Sequence, residues 1–303
     1  MLQRVSVSGT AQPFSTPVSS MRPQPADAVC FSGKSQKPGT VYYIGGPTCS
    51  GKTSLCVDLA KRLPNARFIN ADTMQLYRGL EELAATPSSK ELSQMDHRMY
   101  GVLDLDEDFS RSQWFEMAKQ EIDQAFADDK IPVLVGGSRS FMEELARSAY
   151  DIEFQADMDN LITYPHEDAK HLDFPYRLAS IVLAPDNNLL FKQINREVDR
   201  RDEMIDMVRE VSAEDHDFSK PAFWVVGFHE LKAVLERKIS MAEALEQLRE
   251  KVLRYAIEQI AMFNGLFEAV NRSEDPSRSI RIESIDAKER VEQVLAFMAQ
   301  QEK

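Results

Sequence analysis

Residues 41–53, VYYIGGPTCSGKT, join a short apolar run of β type directly to the pattern G-x-x-x-x-G-K-T. Gly46 and Gly51 allow the backbone to curl so that successive N–H groups point at an anion, while Lys52 and Thr53 add a positive charge and a hydroxyl. Leucines follow at helical spacing, so the loop opens at a helix N-terminus, whose dipole favours anions. The predicted strand before the loop and the predicted helix after it both lie where the motif requires them, which argues against a glycine-rich turn that matches the pattern by chance. The stretch therefore predicts a cradle for an oligophosphate and leaves open which one.

Composition sets broad limits on the rest of the chain. The 303 residues are 43% apolar, enough for a large core. A formal charge of −13 argues against an extensive, non-specific nucleic-acid surface. Cys30, Cys49 and Cys56 are odd in number and lack metal-ligand spacing, which indicates a reducing compartment. No apolar run reaches the roughly 18 to 20 residues that span a bilayer, so we expect a soluble protein with no membrane partner.

Residues 1–38 differ in composition from the rest of the chain. They are rich in Ser, Pro, Gln and Thr and carry four basic residues against the single acid Asp27. Organellar transit peptides have this composition, and so do untargeted disordered leaders. We expect a disordered or targeting leader and a cytoplasmic protein, or a plastid or mitochondrial one if the leader is a transit peptide.

Strand-like and helix-like patterns alternate after the phosphate loop. Residues 67–71, 131–135 and 178–183 read as buried strands, and 279–285 as an edge strand. Helices are predicted from Ser110 to about Phe126 and over residues 188–211, 241–267 and 291–298. The alternation predicts an α/β fold with a P-loop-like parallel sheet flanked by helices. We expect one domain over 39–303, with a small helical appendage mainly within 188–267.

Polar residues follow two of these strands. Asp72 ends the second strand, and Ser138 and Arg139 follow the glycine pair 136–137. Ligands bind beyond the carboxyl ends of parallel strands, so Asp72 and Ser138 should lie beside the phosphate loop. Asp72 could equally cap a helix, and Arg139 could bind ligand phosphates or be a solvated residue at a helix start.

Four segments in this order resemble the isopentenyltransferase family, which comprises tRNA dimethylallyltransferases and the adenylate isopentenyltransferases that make cytokinins. They are GPTCSGKT at 46–53, NADTMQLYRGL at 70–80, ATPS at 85–88 and VGGS at 135–138. The likeness is specific over residues 41 to about 147; later, VGFHE at 226–230 resembles a family I-G-Y-x-E segment. It implies transfer of a dimethylallyl group from dimethylallyl diphosphate to an amine, typically N6 of adenine.

The resemblance also implies roles for individual residues. Asp72 stands where the family places the base that takes the amine proton, and Thr48 matches a threonine close to the reacting centre. Lys52 would stabilise the leaving diphosphate. The expected diphosphate-binding set is Gly46, Ser50, Gly51, Lys52, Thr53, Ser138 and Arg139, and the acceptor-binding candidates are Thr73, Gln75 and Arg254. A magnesium ion on the diphosphate, near Thr53, is expected from the loop chemistry.

Departures from the family pattern concern the acceptor side. Phe223-Trp224 stands where members usually carry cations, and VLRYAIEQ at 252–259 replaces T-R-x-x-A-K-R-Q or A-x-R-Q. The D-P-x-x-A…R-R-x-x-R-A-L-E stretch and the large insertion of the tRNA-modifying branch are missing, and residues 151–173 are short and acidic. Together with the negative charge, these departures favour the small-acceptor adenylate branch.

We therefore expect a free adenine nucleotide as acceptor, most simply AMP, ADP or ATP, with release of diphosphate as in cytokinin-type synthesis, and tRNA as an unlikely partner. Four alternatives stay open. The chain could be a tRNA dimethylallyltransferase, a prenyltransferase with a changed small-molecule acceptor, a P-loop small-molecule kinase, or a nucleotide-binding protein without transferase activity. The oligomeric state is not predicted.

Overall fold

A computed structural model describes residues 39–152 and 173–302. The predicted leader, residues 1–38, lies outside the described residues, as does most of the acidic segment at 151–173. Within the described ranges, no helix is long and apolar enough to cross a membrane.

Six strands form one sheet in the order β3-β2-β4-β1-β5-β6, and every neighbouring pair is parallel. The strands are β1 (Thr40–Gly45), β2 (Ala66–Asn70), β3 (Asp96–Arg98), β4 (Ile131–Gly136), β5 (Arg177–Leu183) and β6 (Ser279–Ile282). In the centre of the sheet, Ile44 of β1 lies beside Val135 of β4 and Ile181 of β5. The predicted parallel α/β fold is confirmed, and β6 is at the edge as predicted.

Nine α-helices accompany the sheet in the described ranges. They are α1 (Lys52–Arg62), α2 (Ser89–Leu92), α3 (Arg111–Ala127), α4 (Arg139–Tyr150), α5 (Asn187–Asp199), α6 (Ile205–Ser212), α7 (Phe228–Leu235), α8 (Met241–Arg272) and α9 (Ala287–Gln301). Ser110 caps α3 and Ser240 caps α8, each in a capping box with the side chain three residues on. The helix predicted from Ser110 is confirmed, and the one predicted over 241–267 continues to Arg272.

The sheet is buried on both faces, which explains the nearly continuous apolar runs of its strands. Successive side chains of β1 point to opposite faces: Val41 and Tyr43 join one core cluster, with α3, α4 and α8, and Tyr42 and Ile44 join the other, with α1 and α9. The carboxyl ends of the central strands consequently meet at one edge between these layers, and the functional residues are placed there.

The helix predicted over 188–211 is interrupted, and that prediction is wrong in its middle. α5 ends at Asp199, a 3₁₀ turn covers Arg201–Met204, and α6 begins at Ile205. The apolar stripe of α5, which includes Ile194 and Val198, packs against α8, whereas Val208 of α6 belongs to the larger core. The two halves face different clusters, so one straight helix could not bury both.

Candidate active site

The loop between β1 and α1 is curled into a tight turn. Gly51 has a φ of +88°, in the left-handed region, and a Cβ there would lie 2.7 Å from Nη1 of Arg290. That guanidinium donates to the Ser50 carbonyl at 3.2 Å, and the Ser50 amide donates to the Pro47 carbonyl at 3.2 Å. The backbone angle therefore requires a glycine at this position, whereas the Arg290 guanidinium is the end of a flexible side chain.

The Lys52 side chain folds back onto the first residues of this loop. Its Nζ donates to the carbonyls of Gly46 at 2.9 Å and Pro47 at 3.0 Å. Burial lowers the pKa of Lys52, an effect that the nearby Asp72 carboxylate opposes. The Ser50 hydroxyl is buried in the same loop and has no hydrogen-bond partner among the described residues. A cation held on backbone carbonyls beside an unsatisfied hydroxyl fits a ligand that brings several acceptor oxygens, as a diphosphate does.

Asp72 follows the carboxyl end of β2 and lines the same cleft as the phosphate loop. Its Oδ1 accepts the Met74 amide at 3.1 Å, so Asp72 does cap the short turn that starts there, as one interpretation predicted. Burial raises the pKa of Asp72, while the Lys52 charge and the amides of Met74 and Gln75 lower it. A carboxylate whose pKa is raised holds a proton more readily, which is what a general base requires. The capping and chemical roles are compatible because the carboxylate has two oxygens.

The ends of β2 and β4 are linked by hydroxyl groups. The hydroxyls of Thr73 and Ser138 are 2.7 Å apart, and Ser138 lies 3.4 Å from the Ser140 hydroxyl. Arg139 Nε donates to Glu143 at 2.6 Å, so this arginine is engaged within its own helix and still lines the cleft beside the phosphate loop. Gly136 permits the junction, because a Cβ there would be 1.9 Å from the Ala71 carbonyl oxygen.

One cleft of about 1670 Å³ joins these groups. Its lining contains most of the predicted residues, namely Thr48, Ser50, Gly51, Lys52, Thr53, Asp72, Thr73, Gln75, Ser138 and Arg139. Gly46 lies behind the loop and contacts Lys52 through its carbonyl. Arg254, predicted to bind the acceptor, is exposed on α8 and does not line the cleft, because the neighbouring Tyr255 and Glu258 occupy the facing positions.

Gln259 of α8 is a site residue that the sequence prediction missed. Its side chain is 2% exposed, accepts the Thr48 amide at 2.7 Å and donates to the Gly137 carbonyl at 2.8 Å. It therefore ties the phosphate loop to the end of β4. The available signal was the final Q of VLRYAIEQ, which matches the family pattern although the residues before it do not.

The aromatic pair at 223–224 has two different roles. Phe223 is fully buried in a cluster of rings with Phe218 and Phe228, whereas Trp224 lines the cleft. Of the two residues that differ from the family pattern, Phe223 therefore packs in the core, and Trp224 lines the candidate site.

Most ligands of the predicted magnesium ion would come from the substrate and from water. Among the described residues, no group of three or more His, Cys, Asp or Glu side chains is arranged to hold a metal ion. Mg²⁺ commonly keeps several waters and binds through phosphate oxygens with one or two protein ligands. The Thr53 hydroxyl lines the cleft with the loop, so the residues present fit that mode of binding.

Comparison with known proteins identifies the family. The family model described as IPP transferase matches residues 75–164 and 152–265. A tRNA dimethylallyltransferase from Rhodospirillum centenum is 43% identical over 112 residues, 37% of this chain and 35% of that protein. One from Alkaliphilus oremlandii is 26% identical over 278 residues, 74% of this chain and 88% of that protein. The chain aligns with about a third of the length of the first relatives that it matches.

Solved structures share the fold. The tRNA isopentenylpyrophosphate transferase of Bacillus halodurans matches with a TM-score of 0.69 at 21% identity, covering 88% of this chain and 97% of that one. A eukaryotic dimethylallyltransferase acting on tRNA matches with a TM-score of 0.64 at 16% identity, covering 82% of this chain and 75% of that one. At these identities the comparison supports the fold alone.

These findings correct the prediction about the acceptor. The expectation of a free adenine nucleotide, with tRNA as an unlikely partner, is wrong, because the relatives from Rhodospirillum centenum and Alkaliphilus oremlandii are tRNA dimethylallyltransferases. Cytokinin synthesis loses its support for the same reason, and the branch of the family is not resolved. The predicted resemblance and the transferase class are confirmed. By its match to the family model over more than half of its length, the chain belongs to the IPP transferase family.

Proposed function

We propose that this protein is a tRNA dimethylallyltransferase, which moves a dimethylallyl group from dimethylallyl diphosphate to N6 of an adenine in tRNA. The observation that carries the proposal is the shared cleft of the phosphate loop and Asp72. The names of the relatives supply the acceptor, and the loop supplies the reason for a diphosphate donor.

On the donor side, the loop binds the leaving group. As the bond between C1 of the dimethylallyl group and the diphosphate oxygen breaks, negative charge grows on the diphosphate. Lys52, the hydroxyls of Ser50 and Thr53 and the loop amides face that charge from fixed positions. When bound on the diphosphate, Mg²⁺ would neutralise part of this charge, held on the protein side by the Thr53 hydroxyl. Gln259 keeps the loop in place against β4.

On the acceptor side, Asp72 takes a proton. The N6 amine forms a bond to C1 of the dimethylallyl group and loses one hydrogen as H⁺, which passes to the Asp72 carboxylate. The capping contact to Met74 holds the carboxylate at a fixed angle at the end of β2. The raised pKa, caused by burial, favours proton uptake at this position.

The net charge of the whole chain differs from the net charge of the side chains that line the cleft. Eight cationic side chains line it, namely Lys52, Arg111, Arg139, Arg147, Arg196, Arg201, Lys220 and Lys251. Eight carboxylates line it as well, namely Asp72, Glu91, Asp108, Glu143, Glu197, Asp217, Glu230 and Glu258. The lining is formally balanced, whereas the chain carries −13. Long-range repulsion of RNA is screened beyond about 10 Å, so the local balance matters more than the total.

A competition assay tests the proposal. The protein is incubated with labelled dimethylallyl diphosphate, Mg²⁺ and a mixture of unmodified tRNA transcripts and AMP, ADP and ATP. We expect label in tRNA, and we expect Lys52→Ala to abolish its incorporation. Lys61→Ala, on the exposed side of the same helix and paired with Asp58, serves as the control and should keep activity. Label in the nucleotides and none in tRNA would contradict the proposal.

A further inference from the structure

Arg201 begins the 3₁₀ turn between α5 and α6 and lines the cleft. The stripe Leu190, Ile194 and Val198 packs against α8 in a cluster that also contacts Cys49 of the phosphate loop. Arg201 follows the end of α5 by two residues, and it lines the cleft together with Cys49. The interruption of the helix thus places a cation where the buried stripe reaches the site.

The surroundings of Arg201 are unusual for an arginine. Its Nη1 donates to the Leu83 carbonyl at 2.7 Å and contacts the Met204 sulfur at 3.7 Å. No carboxylate of the described residues lies within 4.0 Å of its nitrogens, although Glu197 acts on it electrostatically from one turn away. Arg201 is half-buried, and this burial lowers the pKa of its guanidinium. A desolvated guanidinium without a salt bridge is costly unless a ligand supplies the anion.

Two observations connect Arg201 with the donor subsite. Cys49, Lys52 and Arg201 line the same cleft, and the positive charges of Lys52 and Arg201 both lower the pKa of the Cys49 thiol, which burial raises. Nη1 of Arg201 is also 3.9 Å from the position that a Cβ on Gly227 would take. Gly227 belongs to the segment before which family members usually carry a cation, and this chain has Phe223-Trp224 there.

We propose that Arg201 is a binding residue for the donor diphosphate and supplies from the α5–α6 turn the positive charge that is missing at positions 223–224. The planar guanidinium can present two parallel N–H donors to phosphate oxygens, which a lysine cannot. The inference rests on the proposed function for the identity of the donor, but it requires no particular acceptor.

Calorimetric titration with inorganic diphosphate and Mg²⁺ tests this inference without any acceptor. Arg201→Gln should weaken diphosphate binding at least about tenfold, the loss expected for a charge-assisted contact. Arg201→Lys should bind with an affinity between those of the wild type and Arg201→Gln. The matched control is Arg200→Gln, which removes an adjacent, exposed arginine paired with Glu203 at 3.8 Å and should bind as the wild type does.

The outcomes separate ligand binding from a structural role. If Arg201 only anchors the Leu83 carbonyl, Arg201→Gln will melt at a lower temperature yet bind diphosphate normally, and the inference is overturned. If Arg201→Gln does not fold, Arg201→Lys becomes the test, and it should bind diphosphate more weakly than the wild type. Equal affinity of Arg201→Lys and the wild type would overturn the inference. The inference is also overturned if the wild type does not bind diphosphate. A protein that binds diphosphate through Arg201 but modifies no tRNA would refute the proposed function and leave this inference standing.

Discussion

Asp72 combines a structural contact with a chemical role, and one substitution examines the second. Asp72→Asn keeps the size of the side chain and an oxygen for the Met74 amide, but it cannot take up the amine proton. We expect turnover to fall by on the order of 10² or more, as removal of a general base usually does, with little change in diphosphate binding. Single-turnover rates and the calorimetric titration measure the two quantities. Near-normal turnover would leave Asp72 with its capping role alone.

The same residue predicts a dependence of stability on pH. The pKa of Asp72 is raised in the fold, so the unfolded chain ionises first and the wild type loses stability as pH rises above the ordinary aspartate value near 4. Asparagine does not ionise. The melting temperature of Asp72→Asn should therefore exceed that of the wild type by a margin that grows from about pH 4 to pH 7. A lower melting temperature throughout would mean that attraction to Lys52 outweighs burial.

Gln259 allows a test of loop positioning. Gln259→Leu fills a similar volume but leaves the Thr48 amide and the Gly137 carbonyl without their partner. We expect a loss of about 1 to 3 kcal/mol in the free energy of unfolding, together with weaker diphosphate binding. Gln247→Leu, exposed on the same helix, is the control and should change neither. Equal effects of the two variants in urea denaturation would show that the Gln259 bridge does not position the loop.

At the scale of elements, polar contacts hold the edge strand β3. Its three residues, Asp96-His97-Arg98, contain no apolar side chain, so hydrophobic patterning could not predict it. Asp96 accepts from Arg67 of β2 at 3.1 Å and also pairs with Arg98 and Lys130. The pKa of Asp96 is lowered, because these cations together outweigh the opposing effect of burial.

We predict that Asp96→Asn destabilises the fold by about 2 kcal/mol or more at neutral pH, because Arg67 is 3% exposed and would lose a charged partner. Since the folded pKa of Asp96 is depressed, this contribution is present above the ordinary aspartate pKa and is lost as pH falls through the folded value. Asp104→Asn, which breaks a pair between two exposed side chains by removing the partner of Arg78, should cost much less stability than Asp96→Asn. Equal losses in chemical denaturation at pH 7 would contradict the role given to β3.

At the scale of the molecule, the sequence predicted that the phosphate loop, Asp72 and Ser138 lie together, but it did not predict the acceptor. The loop, Asp72 and Ser138 follow strands whose apolar runs are legible in sequence, and the parallel sheet brings their ends together. Gln259 and Arg201 reach the cleft from helices far along the chain, through packing that no local pattern encodes. The acceptor prediction relied on departures from the family pattern, on missing segments and on the negative net charge, and the net charge says nothing about the balanced lining of the cleft.

Binding of tRNA should also depend on salt in a way that donor binding does not. Each phosphate neutralised by a cation of the cleft releases counterions, so the dissociation constant for tRNA should rise with salt concentration along a straight line in logarithmic coordinates. A single small diphosphate should show a shallower slope. Filter-binding titrations at several salt concentrations compare the two. A dissociation constant for tRNA that does not change with salt would show that the cleft makes no phosphate contacts.

The identity of the modified nucleoside decides whether the cleft transfers a dimethylallyl group to tRNA. Unmodified tRNA is incubated with dimethylallyl diphosphate and the wild type, Asp72→Asn or Lys52→Ala, digested to nucleosides and analysed by mass spectrometry. We predict N6-dimethylallyladenosine with the wild type, far less with Asp72→Asn and none with Lys52→Ala. Unmodified adenosine in every sample, while the wild type still binds diphosphate, would contradict the proposed transfer.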